Sequence, residues 1–242
     1  MRMLSFAGRN TKELVRDPLT LGFGLGFPLM LLFLLTAIQN NIPVPLFEIQ
    51  HLTPGITVFG LSFVALFSAT IITKDRSSAL LQRLYTTPLT PLDFILGYTL
   101  PLLPLAVGQC LVCYGAAVVL GLKMNIAVLY AVIGILPISV LYIAMGLLCG
   151  SVLNDKQVGG ICGALLTNLS AWLSGVWFDL ELVGDTFRRI AYALPFVHAV
   201  EMERALLAGN GAAALPHLWW VLGYAIGLLI LAVWLFLRQM KR

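Results

Sequence analysis

Apolar residues run through this chain in long blocks separated by short polar breaks. The blocks cover about 19–38, 54–73, 94–120, 126–150, 158–178 and 217–237. A helix needs about 20 apolar residues to cross a bilayer. The pattern therefore predicts an all-α integral membrane protein with six transmembrane helices, and a single membrane domain over residues 1–242. No polar stretch is long enough for a soluble domain. No small-residue cleavage site follows the first apolar block before Gln39, so no cleaved signal peptide is expected.

The polar breaks carry the more specific information. Residues 1–18 read as an interfacial helix. Arg9, Lys12 and Arg16 stack at i, i+3, i+7, and Phe6, Ala7, Leu14 and Val15 occupy the other side. Such a helix lies at a membrane surface with its cations toward anionic headgroups. Asp17–Pro18 then opens the first span, with Asp as cap and Pro at the first helical position.

The stretch 74–93 is the longest polar interruption in the first half of the chain. Asp75 can cap a helix from about Arg76 to Tyr85, which the Thr86–Thr87–Pro88 turn ends. Leu80, Leu81, Leu84 and Tyr85 fall on one arc of that helix, and Arg76, Gln82 and Arg83 on the other. Such an element either lies on lipid headgroups or is a handle gripped by a cytoplasmic partner. A second break at Leu153–Gln157 is very short.

Residues 179–216 form the third unusual break. Leu182 to Ala208 is too charged to span, with Asp185, Arg188, Arg189, Glu201, Glu203 and Arg204, and too apolar for a plain loop. Pro195 divides it into two short amphipathic helices. That suits either a re-entrant hairpin dipping into the outer leaflet or a loop lying on its surface. His198, His217 and His51 read as interface residues.

Prolines at 101, 104 and 137 predict kinks within spans. Glycines recur four apart at 22/26, 146/150, 159/163 and 223/227, a spacing that permits close helix approach within or between subunits.

Composition agrees with the pattern: 60% of the 242 residues are hydrophobic and 11% charged, and the mean hydropathy is +0.94. The net charge of +4 is a topology signal rather than a nucleic-acid footprint. With the N-terminus inside, eleven of the 15 Lys and Arg residues fall on inner segments. The outer four are Lys123, Arg188, Arg189 and Arg204. The bias predicts cytoplasmic termini and a cytoplasmic 74–93 loop in a multi-pass cell-membrane protein.

Several chemistries are excluded. The chain has no phosphate-binding G-x-x-x-x-G-K-[ST] loop, no G-x-S-x-G elbow and no H-E-x-x-H motif. Cys110, Cys113, Cys149 and Cys162 lie within predicted spans without His or acidic residues at ligand spacing, and read as packing residues, not a metal site. No Asp, Glu, Lys, Arg or His falls in the middle of a predicted span. Proton relays and intramembrane hydrolases place such groups there, so any uphill transport must draw energy from outside the chain.

These residues together resemble the membrane subunit, or permease, of type-2 ABC transporters, particularly the drug and antibiotic exporters. The resemblance rests on KELVRDP at 12–18, the 74–97 stretch KDRSSALLQRLYTTPLTPLDFILG, GLLCGSVLNDKQVGG at 146–160 and LSGVWFDLELVGDTFRRIAYALPFVHAVEMERALLAG at 173–209. Asp179 and Gly184–Asp185 stand where the family usually has prolines.

The resemblance implies a separate ATP-binding subunit that holds the ATP and magnesium, so that this chain carries no cofactor and no catalytic residue. It implies a second permease, identical or related, with the cargo passing between the two copies along spans one, two and five. It makes 74–93 a coupling loop whose ATPase contacts include Asp75, Arg76, Leu80, Arg83 and Leu84. Asp155, Lys156 and Gln157 form a second, smaller contact. Arg188, Arg189, Pro195 and His198 belong to the re-entrant hairpin. An uncharged path favours hydrophobic or amphipathic cargo. Two alternatives stay open: export of a lipid-linked glycan along an aromatic path including Phe59, Phe63, Phe67, Trp172 and Trp177, and a membrane assembly or regulatory subunit that transports nothing.

Overall fold

The computed structural model describes residues 2–78 and 90–240, and every regular element among them is helical. The chain opens with α1 (Arg2–Arg16), α2 (Pro18–Leu21), a π-helical turn at Gly22–Gly26 and α3 (Phe27–Gln39). The long helices α4 (Ile49–Ser77), α5 (Pro91–Val119) and α6 (Ile126–Val152) follow. Then come α7 (Asp155–Val158), a π-helical segment Gly159–Leu166, α8 (Thr167–Trp172), a 3₁₀ turn Leu180–Leu182, α9 (Asp185–Ala193), α10 (Pro195–Leu207) and α11 (Gly211–Met240).

Among the described residues, five stretches are long and apolar enough to cross a membrane: Gly22–Gln39, Ile49–Ser77, Leu92–Val119, Ile126–Val152 and Gly211–Leu235. The fifth expected span, 158–178, departs from its apolar block. Its helical run extends from Asp155 only to Trp172, opens on three polar residues and widens at Gly159–Leu166. The wide turns displace the usual carbonyl partners, and the Thr167 hydroxyl bonds back to the Cys162 carbonyl at 3.1 Å. Gly175, with φ at +69°, turns the chain away beyond it.

The bundle is built around α4, which packs against α3, α5, α6 and α10. Small residues on α4 and its neighbours bring backbones close. Gly146 and Gly150 of α6 pack directly on the α4 backbone at Ala65 and Ala69. Of the four glycine pairs, 146/150 thus joins helices within the subunit, whereas Gly22, Gly26, Gly159, Gly223 and Gly227 would meet nothing if given a Cβ. Gly60 leaves room for the Gln109 amide, which donates to the Thr57 carbonyl at 3.0 Å. Phe59, Phe63 and Phe67 are buried. Phe63 meets Phe27 edge-on and Phe59 meets Trp177 likewise.

Helix termini follow their local sequence. Thr90 and Asp93 form a reciprocal capping box ahead of Pro91 at the start of α5. Asn154 and Gln157 do the same for α7. Asn125 caps α6. α1 is amphipathic as expected, and it buries Phe6, Ala7, Asn10 and Leu14 against α5, while Val15 is exposed.

Candidate functional site

The last turns of α4 carry a connected polar cluster. The helix runs on through Ser77, so Asp75 is not the cap of a new helix but an interior residue, 1% exposed. Its side chain turns into the bundle because cationic and hydroxyl donors wait there. Arg9 donates from both guanidinium arms, to Oδ1 at 2.7 Å and Oδ2 at 2.8 Å, and the Tyr98 hydroxyl donates to Oδ2 at 2.9 Å. Arg9 also reaches Glu13 at 3.0 Å. The bonds to Asp75 hold the guanidinium above its ordinary pKa. Arg9 therefore does not share the exposed face of Lys12 and Arg16 that the sequence assigned to it. It fastens α1 to α4, and Asn10 fastens α1 to α5 through the Gly97 carbonyl at 3.0 Å. Phe6 packs edge-on against Tyr98 and Phe94, over the Cβ-free face of Gly97.

Arg76 turns the other way. One guanidinium nitrogen donates to the carbonyls of Gly150, Ser151 and Leu153 at 2.8–3.0 Å. These are carbonyls at the end of α6 that have no helical partner. Asp155, Lys156 and Gln157 follow directly and are exposed, with Asp155 accepting a long bond from Thr73 at 3.4 Å. The structure thus brings Asp75, Arg76 and the 155–157 turn to one end of the bundle, with Asp75 buried and the turn open. Leu80, Arg83 and Leu84 lie outside the described residues.

The opposite end carries the α9–α10 hairpin, broken at Pro195 as expected. α10 is buried among α11, α6 and α4. Arg204 pairs with Glu201 at 2.8 Å and donates to the Gly175 carbonyl at 3.0 Å. Arg188 makes an exposed pair with Glu181 at 3.4 Å, and Arg189 is exposed without an ion pair among the described residues. A cleft of about 830 Å³ opens here, lined in part by Glu48, His51, Trp177, Arg188, Glu201 and Arg204.

Two features of this end escaped the sequence reading. Glu203 is fully buried, bonded to the Tyr114 hydroxyl at 3.0 Å through one oxygen and, among the described residues, without a hydrogen-bond partner at the other. A carboxyl inside the bundle was therefore present, contributed by a helix outside the spans. The signal was its place on the stripe Phe196, Ala199, Val200, Glu203, all buried, at i, i+3, i+4 and i+7.

The second is a histidine pair. His198 Nδ1 and His217 Nδ1 are 2.8 Å apart, and His198 Nε2 lies 3.0 Å from the Tyr192 carbonyl. A carbonyl only accepts, so His198 Nε2 carries the proton and its Nδ1 accepts from His217 Nδ1–H. The pair tolerates one further proton, on His217 Nε2. A second, on His198 Nδ1, would set two donors face to face. Trp220 stacks on His198 at 4.7 Å, and Glu201 is the nearby carboxylate. Burial lowers the His198 pKa. A folded-state value below the ordinary one of about 6.5 gives stability that is complete above that value and lost as pH falls through it. The thermal midpoint of the purified chain should therefore drop on acidification from about pH 7.5 to 5.5, and His217→Phe should flatten that dependence. An unchanged slope in the variant would show that other groups carry it.

Residues 48–234 match the model of a protein family described as ABC-2 family transporter protein. No curated protein matches the chain.

Proposed function

The chain belongs to the ABC-2 transporter family, a family of multi-pass ABC transporter membrane subunits, and from that premise we propose that it is the permease of an ATP-driven exporter of hydrophobic or amphipathic cargo. ATP hydrolysis takes place on a separate ATP-binding subunit, and a second permease copy completes the path. The stretch Asp155–Trp172 is read as a short sixth span and α9–α10 as a re-entrant hairpin. The charge bias orients the α1 end toward the cytoplasm.

The observation that carries this reading is the anchoring of α4. Its last turn is tied to α1 by Arg9–Asp75 and to α6 by Arg76, directly before the 79–89 stretch. A stretch so rooted can pass a push from a partner into the most buried of the five spans. Leu80, Arg83 and Leu84 are the proposed ATPase contacts there, and Lys156 and Gln157 the second. Asp75, being buried, serves as an anchor rather than a contact. Phe59, Phe63 and Phe67 pack within the subunit, which favours apolar cargo over a glycan path.

The test is Leu84→Asp in the complex of this chain with its ATPase. Burying a leucine contributes about 1.5–3 kcal/mol, so the variant should reach the membrane in normal amount yet lose ATPase association or substrate-stimulated hydrolysis. Wild-type assembly and stimulation would overturn the coupling role. A wild-type complex that shows no cargo-stimulated hydrolysis would favour an assembly subunit instead.

A further inference from the structure

We infer that the cleft between the polar face of α1 and the end of α4 binds the phosphate of an anionic phospholipid headgroup. The cleft is about 840 Å³, and its walls include Ser5, Lys12, Arg16 and Lys74, with Glu13 and Asp17. Arg9 is occupied by Asp75 and Glu13. Lys12, Arg16 and Lys74 are exposed and make no ion pair among the described residues. They converge on one space from two elements distant in sequence.

The position of α1 identifies the ligand. α1 is fastened to α5 at Gly97, inside the span Leu92–Val119 and close to its end. A helix packed against the end of a span lies along the membrane surface, and the cations of its polar face then meet the headgroups. Leu4 and Val15, both more than 60% exposed, extend from the same helix and suit contact with the upper acyl chain. A phosphodiester offers a single charge and two acceptor oxygens, which two or three cationic donors can satisfy. The carboxylates of Glu13 and Asp17 on the wall temper the charge, so the site fits a monoanionic headgroup better than a polyanion.

Occupancy would bridge Lys12 and Lys74 beside the Arg9–Asp75 pair, making the lipid a second tie between α1 and α4. The inference rests on the membrane placement of α1 and not on coupling to an ATPase.

The experiment uses the purified full chain without any partner, in detergent, titrated with phosphatidylglycerol or with phosphatidylcholine. Bound lipid is counted by native mass spectrometry, and the thermal midpoint is followed in parallel. Phosphatidylglycerol should be retained and should raise the midpoint, phosphatidylcholine much less. The Lys12→Gln/Lys74→Gln variant should lose about threefold to tenfold of that retention. Lys12→Arg/Lys74→Arg should keep it, which separates charge from folding damage, and Lys123→Gln at the other end should be neutral. Equal retention by the Gln variant and the wild type would overturn the site. Displacement of the lipid effect by millimolar inorganic phosphate alone would also overturn a lipid site in favour of a free anion. None of these outcomes depends on Leu84→Asp, so the two readings can fail separately.

Discussion

Removing Arg9 is expected to damage the protein more than removing Asp75, although Arg9 is the more exposed partner. Asp75 is 1% exposed and Arg9 40%. Arg9→Met leaves a buried carboxylate with the Tyr98 hydroxyl as its remaining donor from this cluster. Breaking a buried pair by leaving one charge uncompensated costs about 3–5 kcal/mol. Asp75→Asn leaves instead a guanidinium that still has Glu13 and can reach water. Its cost is the loss of charge-assisted bonds, about 1.5–3 kcal/mol, reduced by solvent on the Arg9 side. The double variant Arg9→Met/Asp75→Asn should recover much of the loss, because no unpaired charge remains inside. Thermal unfolding of the four proteins in one detergent measures the ordering. Additive single effects would mean that the pair is a surface contact of little weight, and a larger loss for Asp75→Asn would overturn the ordering.

The second large effect is at Gly146. A Cβ there would land on the Ala65 carbonyl oxygen and 2.5 Å from Ser68 Cβ. The obstacle is backbone, which cannot rotate out of the way. Overpacking a core typically costs about 1–3 kcal/mol, and Gly146→Val should exceed that range by forcing α4 and α6 apart. The Ser68 hydroxyl bond to the Ile143 carbonyl, at 3.3 Å, would be lost as well. Gly150→Ala should be milder, since its Cβ would sit 2.9 Å from the Ala69 carbonyl. Gly159→Ala and Gly223→Ala should be silent in the isolated subunit. Yield of monodisperse protein and the unfolding midpoint report the series. A Gly146→Val protein as stable as wild type would show that the helices do not pack as closely as their backbones here indicate.

Legibility in the sequence followed the range of the interaction. Long spans were readable because each is an uninterrupted apolar block. The helix breaks at Pro195 and the amphipathic character of α1 were readable because they are periodic. Asp75 was not. A lone acid after an apolar block looks like a cap, and its true partner, Arg9, is 66 positions earlier. Apolar content likewise overstated the 158–178 block, whose polar start and wide turns shorten the helix. The histidine pair joins residues 19 apart on different helices and left no periodic trace. Glu203 was legible in principle, had the stripe been followed through the charged segment rather than stopped at it.

Arg76 ties the end of one span to the end of another, and this has a mechanical consequence. The three carbonyls it holds belong to the last turn of α6 and its exit, immediately before the exposed 155–157 turn. In the coupling role proposed above, a stroke delivered to residues 79–89 would arrive at both places together, as force on a lever arrives at both sides of a stiff fulcrum. Two footholds at one end of the bundle, separated by about 75 residues, would work as one pedal. Cutting that single guanidinium, by Arg76→Gln, would leave each foothold able to move alone.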